Sequence, residues 1–288
     1  NEWDAKSPVW MNKISDGVYQ LKVTTTADKN WFKFYAGSNF VSNDWDSINK
    51  GALGCKENGS EEAFGYILYN GDSWGELQTP VIPGAGTWIV TLDMNNLTYS
   101  VGKPVLYMKG DANGWDGYDY LSGDDGVHFT GYMYLNQNGF KFCTQKDWKG
   151  TNYGANFDTA EGGADIKMTE DAGYYKVDVD LSAKTYTLYP ITSISMIGDA
   201  TPGGWDADTD LTYNATERCW EIKDVHLEAK ELKFRSNHSW DDPNPNWGGT
   251  PDALVQKGGN IKVAEDGKYD VKLYAWANGY AKCELIKK

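Results

Sequence analysis

Three tryptophans stand where a folded core has little use for them. Trp3, Trp115 and Trp205 each follow a turn rich in Gly, Asn or Asp or open the chain, and each is followed at once by Asp. A second aromatic recurs downstream in loop-like settings: Trp45 lies 42 residues after Trp3, Trp247 lies 42 after Trp205, and Tyr153 lies 38 after Trp115. Phe40, Trp148 and Trp240, between strand and loop, are rival partners. Paired exposed aromatics suit sugars, because the C–H face of a pyranose packs on an aromatic face while its hydroxyls seek polar groups at the rim. Basic residues near each pair would serve as those polar groups. Arg235 lies five residues before Trp240 and can donate to sugar hydroxyls, and Lys33, Lys141 and Lys233 occupy one repeated place. The bland alternative is that the aromatics plug the open ends of the domains that carry them.

These residues sit in a sequence that repeats itself. The run Val105 to Trp115 (VLYMKGDANGW) returns as Ile194 to Trp205 (ISMIGDATPGGW), and the chain opens on the end of the same motif, Asn1 to Ala5. A middle motif reads Phe32-Lys33-Phe34, Phe140-Lys141-Phe142 and Leu232-Lys233-Phe234. A closing motif begins at Gly86, Gly173 and Gly267. Three units follow, 1–103, 104–190 and 191–288. The first lacks its opening strand, so the natural protein is expected to continue upstream.

Within each unit apolar and polar residues alternate. Tyr175, Val177, Val179 and Leu181 are separated by Lys176, Asp178 and Asp180, and Trp88, Val90 and Leu92 follow the same rule. Period-2 runs between Asn-Gly and Asp-Gly turns predict an all-β protein of three tandem antiparallel β-sandwiches, strung like beads on short linkers. In this phase Trp88 and Trp220 are core residues. Cys219 and Cys283 differ in phase, which argues against a disulfide between them, and the four cysteines are read as free thiols or core fillers.

Composition excludes much else. The net charge of −14 over 288 residues disfavours nucleic acid and anionic membranes. No apolar run is long enough to span a bilayer. Four dispersed Cys and three His make no metal site, and no nucleotide-binding or hydrolase motif is present, so no cofactor is expected. Asp206, Asp208, Asp210 and Glu217 have the spacing of a calcium loop, but Leu211 stands where such a loop needs Gly, and an acidic loop in solvent is the simpler reading. A glycosidase needs one pair of carboxylates, and none stands out among many; three copies of a site suit a binder, which gains avidity from repetition. A purely structural or adhesive array is the third class.

The opening motif, the later loop aromatic and the closing motif together resemble the tandem starch-binding modules of the SusE and SusF outer-membrane lipoproteins, over nearly the whole chain. The resemblance implies immunoglobulin-like modules that bind starch or maltooligosaccharides without catalysis, each through two aromatics and a basic residue. Carried onto this chain, the sites would be Trp3 with Trp45 and Lys33, Trp115 with Tyr153 and Lys141, and Trp205 with Trp247 and Arg235, with Trp240 beside the last. At the place of Arg235 the other units have Tyr35 and Cys143. The same resemblance implies a monomer at the cell surface of the outer membrane, held by a lipid anchor upstream, with other cell-surface glycan-uptake proteins as partners. A different glycan, or service as an accessory part of a secreted glycoside hydrolase, is the alternative.

Overall fold

The computed structural model describes residues 8–35, 51–61, 64–69 and 77–288. They form antiparallel strands throughout, with two single 3-10 turns at Asp111–Asn113 and Ala155–Phe157. Alternation is the cause. In Gly173–Asp180, Tyr175, Val177 and Val179 are buried while Lys176 and Asp178 face outward, as period 2 requires of a sheet with one covered face. The chain is all-β and built of antiparallel sandwiches.

The first compact unit holds residues up to Pro104. Its main sheet runs in the order Asn12–Ser15, Val18–Thr25, Gly86–Asp93, Thr98–Gly102, Phe64–Tyr66. A smaller sheet joins Phe34–Tyr35 to Ala52–Gly54 and Leu68–Tyr69. Phe34, Leu53, Val90, Leu92, Tyr99 and Val101 fill the space between them. Trp88 packs against this core but stays partly open, with the Lys103 ammonium 4.0 Å above its ring.

Residues 105–288, apart from a short turn at 124–126, form the second compact unit, which contains two sandwiches. The seven-stranded one has the order Asn152–Tyr153, Phe140–Cys143, Val105–Gly110, Asp119–Ser122, His128–Leu135, Gly173–Asp180, Thr185–Ile191. It folds over on itself: Phe142 of the second strand in this order lies 6.0 Å from Tyr186 of the last. The nine-stranded sandwich repeats the plan from Ala253–Gln256 through Glu231–Ser236, Ile194–Gly198 and Gly204–Asn214 to Lys282–Lys287. Its ends meet through Leu254 N–H on Ala281 and Cys283 N–H on Pro251.

The sequence suggests separate beads, yet these two sandwiches share a core. Tyr132, Tyr174 and Ile191 of the first belong to the same buried cluster as Trp220, Trp247 and Val271 of the second. Trp220 is 6% exposed and core, as its strand phase requires. The Tyr174 hydroxyl reaches carbonyls on both sides, Tyr132 at 3.1 Å and Ala275 at 3.2 Å, and so can donate to either. Tyr120 stacks on Tyr280 with ring centres 4.1 Å apart. Arg218 pairs with Asp119, a carboxylate only 6% exposed whose pKa burial pushes up, against the opposing pull of Arg218 and Asn113. Truncating Arg218 to Ala leaves that carboxylate buried and unpaired. The expected loss is about 2–3 kcal/mol, below the 3–5 of a fully buried pair because the Arg218 side chain stays 34% exposed. Urea unfolding should show the loss, with Arg218→Ala/Asp119→Asn recovering part of it.

Candidate glycan-binding faces

In both sandwiches of residues 105–288 the repeated strands present one face to the core and one to solvent. Leu106, Met108, Phe140 and Phe142 point inward, 0–1% exposed, so Tyr107, Lys109 and Lys141 point out. In the other sandwich Leu232 and Phe234 are fully buried, and Lys233 and Arg235 share the outer face. The next strand decides the fate of two expected site residues. Tyr153 lies directly across from Phe142, and Trp247 directly across from Phe234. Cross-strand partners share a face, so both point into the core. Trp247 is 0% exposed, with its ring edge-on to Tyr132 at 5.2 Å; no face of it is open to a sugar. Tyr153 is half-buried against Phe157, and burial raises the pKa of its hydroxyl. The expectation of loop exposure is corrected for both. In the first unit Leu53, 1% exposed, takes the same place across from Phe34. Trp3, Trp45 and Phe40 lie outside the described residues.

The rival aromatics are the ones left at the surface. Trp148 lies five residues after Cys143 and Trp240 five after Arg235. Their exposures are 36% and 41%, and that of Trp205 is 40%. Trp115 and Trp148 lie with ring centres 6.2 Å apart, inclined by 30°. Both hold left-handed backbone, φ 64° and 65°, which costs an L-residue roughly 1–2 kcal/mol. Strained backbone at two large aromatics makes them candidates for a functional site.

Polar anchors set each ring. The turn carrying Trp115 is closed by Gly114 at φ 73°. Asn113 pins it: its Oδ1 accepts from Gly110 N–H, and its Nδ2 donates to Met108 O and to Asp119 Oδ2. The loop carrying Trp148 is closed by paired contacts between Thr144 and Thr151 and by Asn152 Nδ2 donating to Trp148 O. Beneath Trp148 lies the Lys109 ammonium, 4.5 Å from the ring centre and 3% exposed, donating to Lys146 O at 2.7 Å. The attraction between a cation and a ring fixes that face.

The nine-stranded sandwich uses the same device. The Arg235 guanidinium is 4.9 Å from the Trp240 ring centre and the Lys233 ammonium 5.3 Å. Arg235 is itself held by Asp208, Nε to Oδ1 at 2.8 Å and Nη2 to Oδ2 at 2.5 Å, and Ser195 Oγ donates to the same carboxylate. Expected to donate to sugar hydroxyls, Arg235 is instead engaged by Asp208 and supports a ring. Lys141 donates to Gly163 O at 2.5 Å and faces Asp165, tying down a loop. Lys33 donates to Leu77 O at 3.2 Å, and burial lowers its pKa. Sequence reasoning missed Lys109 altogether.

The calcium-like spacing resolves into ion pairs. Asp206, Asp208 and Asp210 lie along the strand Gly204–Asn214; Asp208 faces Arg235, Asp210 faces His238 at 2.6 Å, and Glu217 pairs with Lys272. No cluster of metal-ligating side chains occurs among the described residues. None of the four cysteines is joined in a disulfide, and all are buried.

Asp208 generates a pH prediction. The Arg235 hydrogen bonds, reinforced by Ser195, hold its carboxyl below the ordinary 3.8 despite burial. A carboxylate with a depressed folded pKa stabilises the fold above its unfolded pKa, and that contribution disappears as pH falls through the folded value. Stability owed to this pair is therefore flat from neutrality to about pH 5 and lost below 3.8. Thermal melts across that range should show Asp208→Asn with a shallower acid slope than the parent.

Residues 1–103 match the family of the SusF first starch-specific carbohydrate-binding module. The crystal structure of SusF from Bacteroides thetaiotaomicron aligns with 98% of this chain and 69% of its own, at 21% identity and a TM-score of 0.39. No curated protein matches. Over residues 1–103 the chain is thus similar to a starch-specific carbohydrate-binding module of the SusF type.

Proposed function

We propose that the chain holds α-1,4-glucan at the cell surface through aromatic platforms, one on each of three modules, 1–103, 104–190 and 191–288. In the second module the platform is Trp115 with Trp148, set on Lys109. In the third it is Trp240, set on Lys233 and Arg235, with the exposed Trp205 as the candidate second ring. In the first module Trp3 and Trp45 with Lys33 remain the candidates. The observation that carries this reading is the Trp115–Trp148 pair: two inclined rings on left-handed backbone, one of them 36% exposed and set against a buried cation. Sugar stacks on the exposed ring, and neighbouring polar groups meet its hydroxyls.

The chain as a monomer would feed bound maltooligosaccharides to other cell-surface glycan-uptake proteins, from a lipid anchor upstream. No helix among the described residues is long and apolar enough to cross a membrane. Shallow stacking sites bind weakly, typically in the micromolar to millimolar range, and gain from being linked.

Calorimetric titration with maltoheptaose tests the assignment. Trp148→Ala and Trp240→Ala should each abolish one class of site, at a cost of about 2 kcal/mol, with little change in melting temperature. Trp247→Ala should instead destabilise its sandwich by roughly 3–5 kcal/mol, as removal of a buried aromatic does. Full maltoheptaose binding by Trp148→Ala/Trp240→Ala would refute the platforms.

A further inference from the structure

The outer faces of the two sandwiches in residues 105–288 correspond position by position, yet differ in chemistry. Tyr107 pairs across the strands with Tyr120, and Ser195 pairs with Asp210 in the same register. Two residues before each lie Tyr118 and Asp208. Where one face carries Ser195, Asp208 and Asp210 engaged with Arg235 and His238, the other carries three tyrosines. Core packing does not demand them. The opposite parity supplies the core there, with Leu106, Met108 and Leu121 all 0% exposed, and the tyrosines remain partly open to solvent.

The tyrosines are mutually ordered. Tyr118 meets Tyr107 at 5.6 Å and Tyr120 at 5.4 Å, both edge to face. The exposed Lys146 holds its ammonium 4.8 Å from the Tyr118 ring centre. Lys146 links the patch to the tryptophan pair, because its carbonyl accepts from the ammonium that lies against Trp148. On its other side Tyr120 stacks on Tyr280 at 4.1 Å and meets Trp276 at 6.1 Å, so the aromatic surface runs on across the junction.

We propose that Tyr118, with Tyr107, Tyr120 and Lys146, forms an extension subsite for a neutral α-glucan whose first rings rest on Trp115 and Trp148, and that it directs the chain toward Tyr280 and Trp276. The proposal rests on the reading of the tryptophan pair as a glycan site. The tryptophan pair is small, its ring centres 6.2 Å apart, so a longer glucan must lie on what adjoins it. Tyr118 shares hydrogen bonds with Tyr120 and Lys146, and the remaining donor and acceptor capacity of these groups, beside apolar ring surface, suits successive pyranoses. Short oligosaccharides then use the tryptophans alone, and long ones use both.

Hydroxyl-radical footprinting of the full chain, read by mass spectrometry, separates the two ideas without relying on total affinity. Maltotriose should slow oxidation of Trp115 and Trp148 and leave Tyr118 unchanged, whereas maltoheptaose should slow Tyr118 severalfold as well. Tyr118→Ala should leave the maltotriose concentration for half-protection of Trp148 unchanged and raise that for maltoheptaose severalfold. Protection of Trp148 by maltoheptaose without protection of Tyr118 overturns the extension and leaves the platform standing; so does a Tyr118→Ala chain that behaves as the parent with both sugars. Absence of protection at Trp148 with either sugar removes the platform and the extension together.

Discussion

Strand parity governs everything else in this molecule. In a sandwich with one covered face, a side chain goes to the core or to solvent according to whether its position is odd or even, and a cross-strand neighbour must follow its partner. Once Phe142 and Phe234 are committed inward, Tyr153 and Trp247 have no choice, and Lys109, Lys233 and Arg235 have none either. The aromatics free of this rule are those on loops, outside the ladder of hydrogen bonds. Trp115, Trp148 and Trp240 lie on turns and loops outside that ladder, whereas Trp205 stands at the start of the strand Gly204–Asn214; the platforms proposed above use both.

Laying a large ring over a wet sheet face needs something beneath it, and cations supply that. Lys109 under Trp148, and Arg235 with Lys233 beside Trp240, reach the same arrangement from different strands. The supports are themselves satisfied, Lys109 by the Lys146 carbonyl and Arg235 by Asp208, so each ring rests on a group whose charge is already engaged. Cation–π contacts of this kind strengthen as water is excluded, and Lys109 is almost wholly buried. Cations that look like sugar-binding donors in the sequence are thereby also the framework of the site.

Much of this was legible in the residues. Repetition and alternation predict the sandwiches, and the turn before Asp singles out Trp115 and Trp205. Equal spacing from the first tryptophan favours Trp247, which strand pairing buries. Spacing from the strand, five residues beyond Cys143 and Arg235, points to Trp148 and Trp240 instead. Lys109 escaped notice because its counterpart in the other repeat is Ile197, so repetition gives no sign of it. The junction was beyond reach altogether: Tyr120 and Tyr280, or Asp119 and Arg218, are distant in sequence and carry no local pattern.

That junction changes what linkage means for residues 105–288. A flexible tether averages over many separations, so almost any polymer can satisfy two sites some of the time. A shared core with a buried carboxylate and a bridging phenol hydroxyl permits no such averaging. The two sandwiches are held as a fixed gauge, and under the function proposed above only a glucan whose curvature matches the set of the platforms engages both.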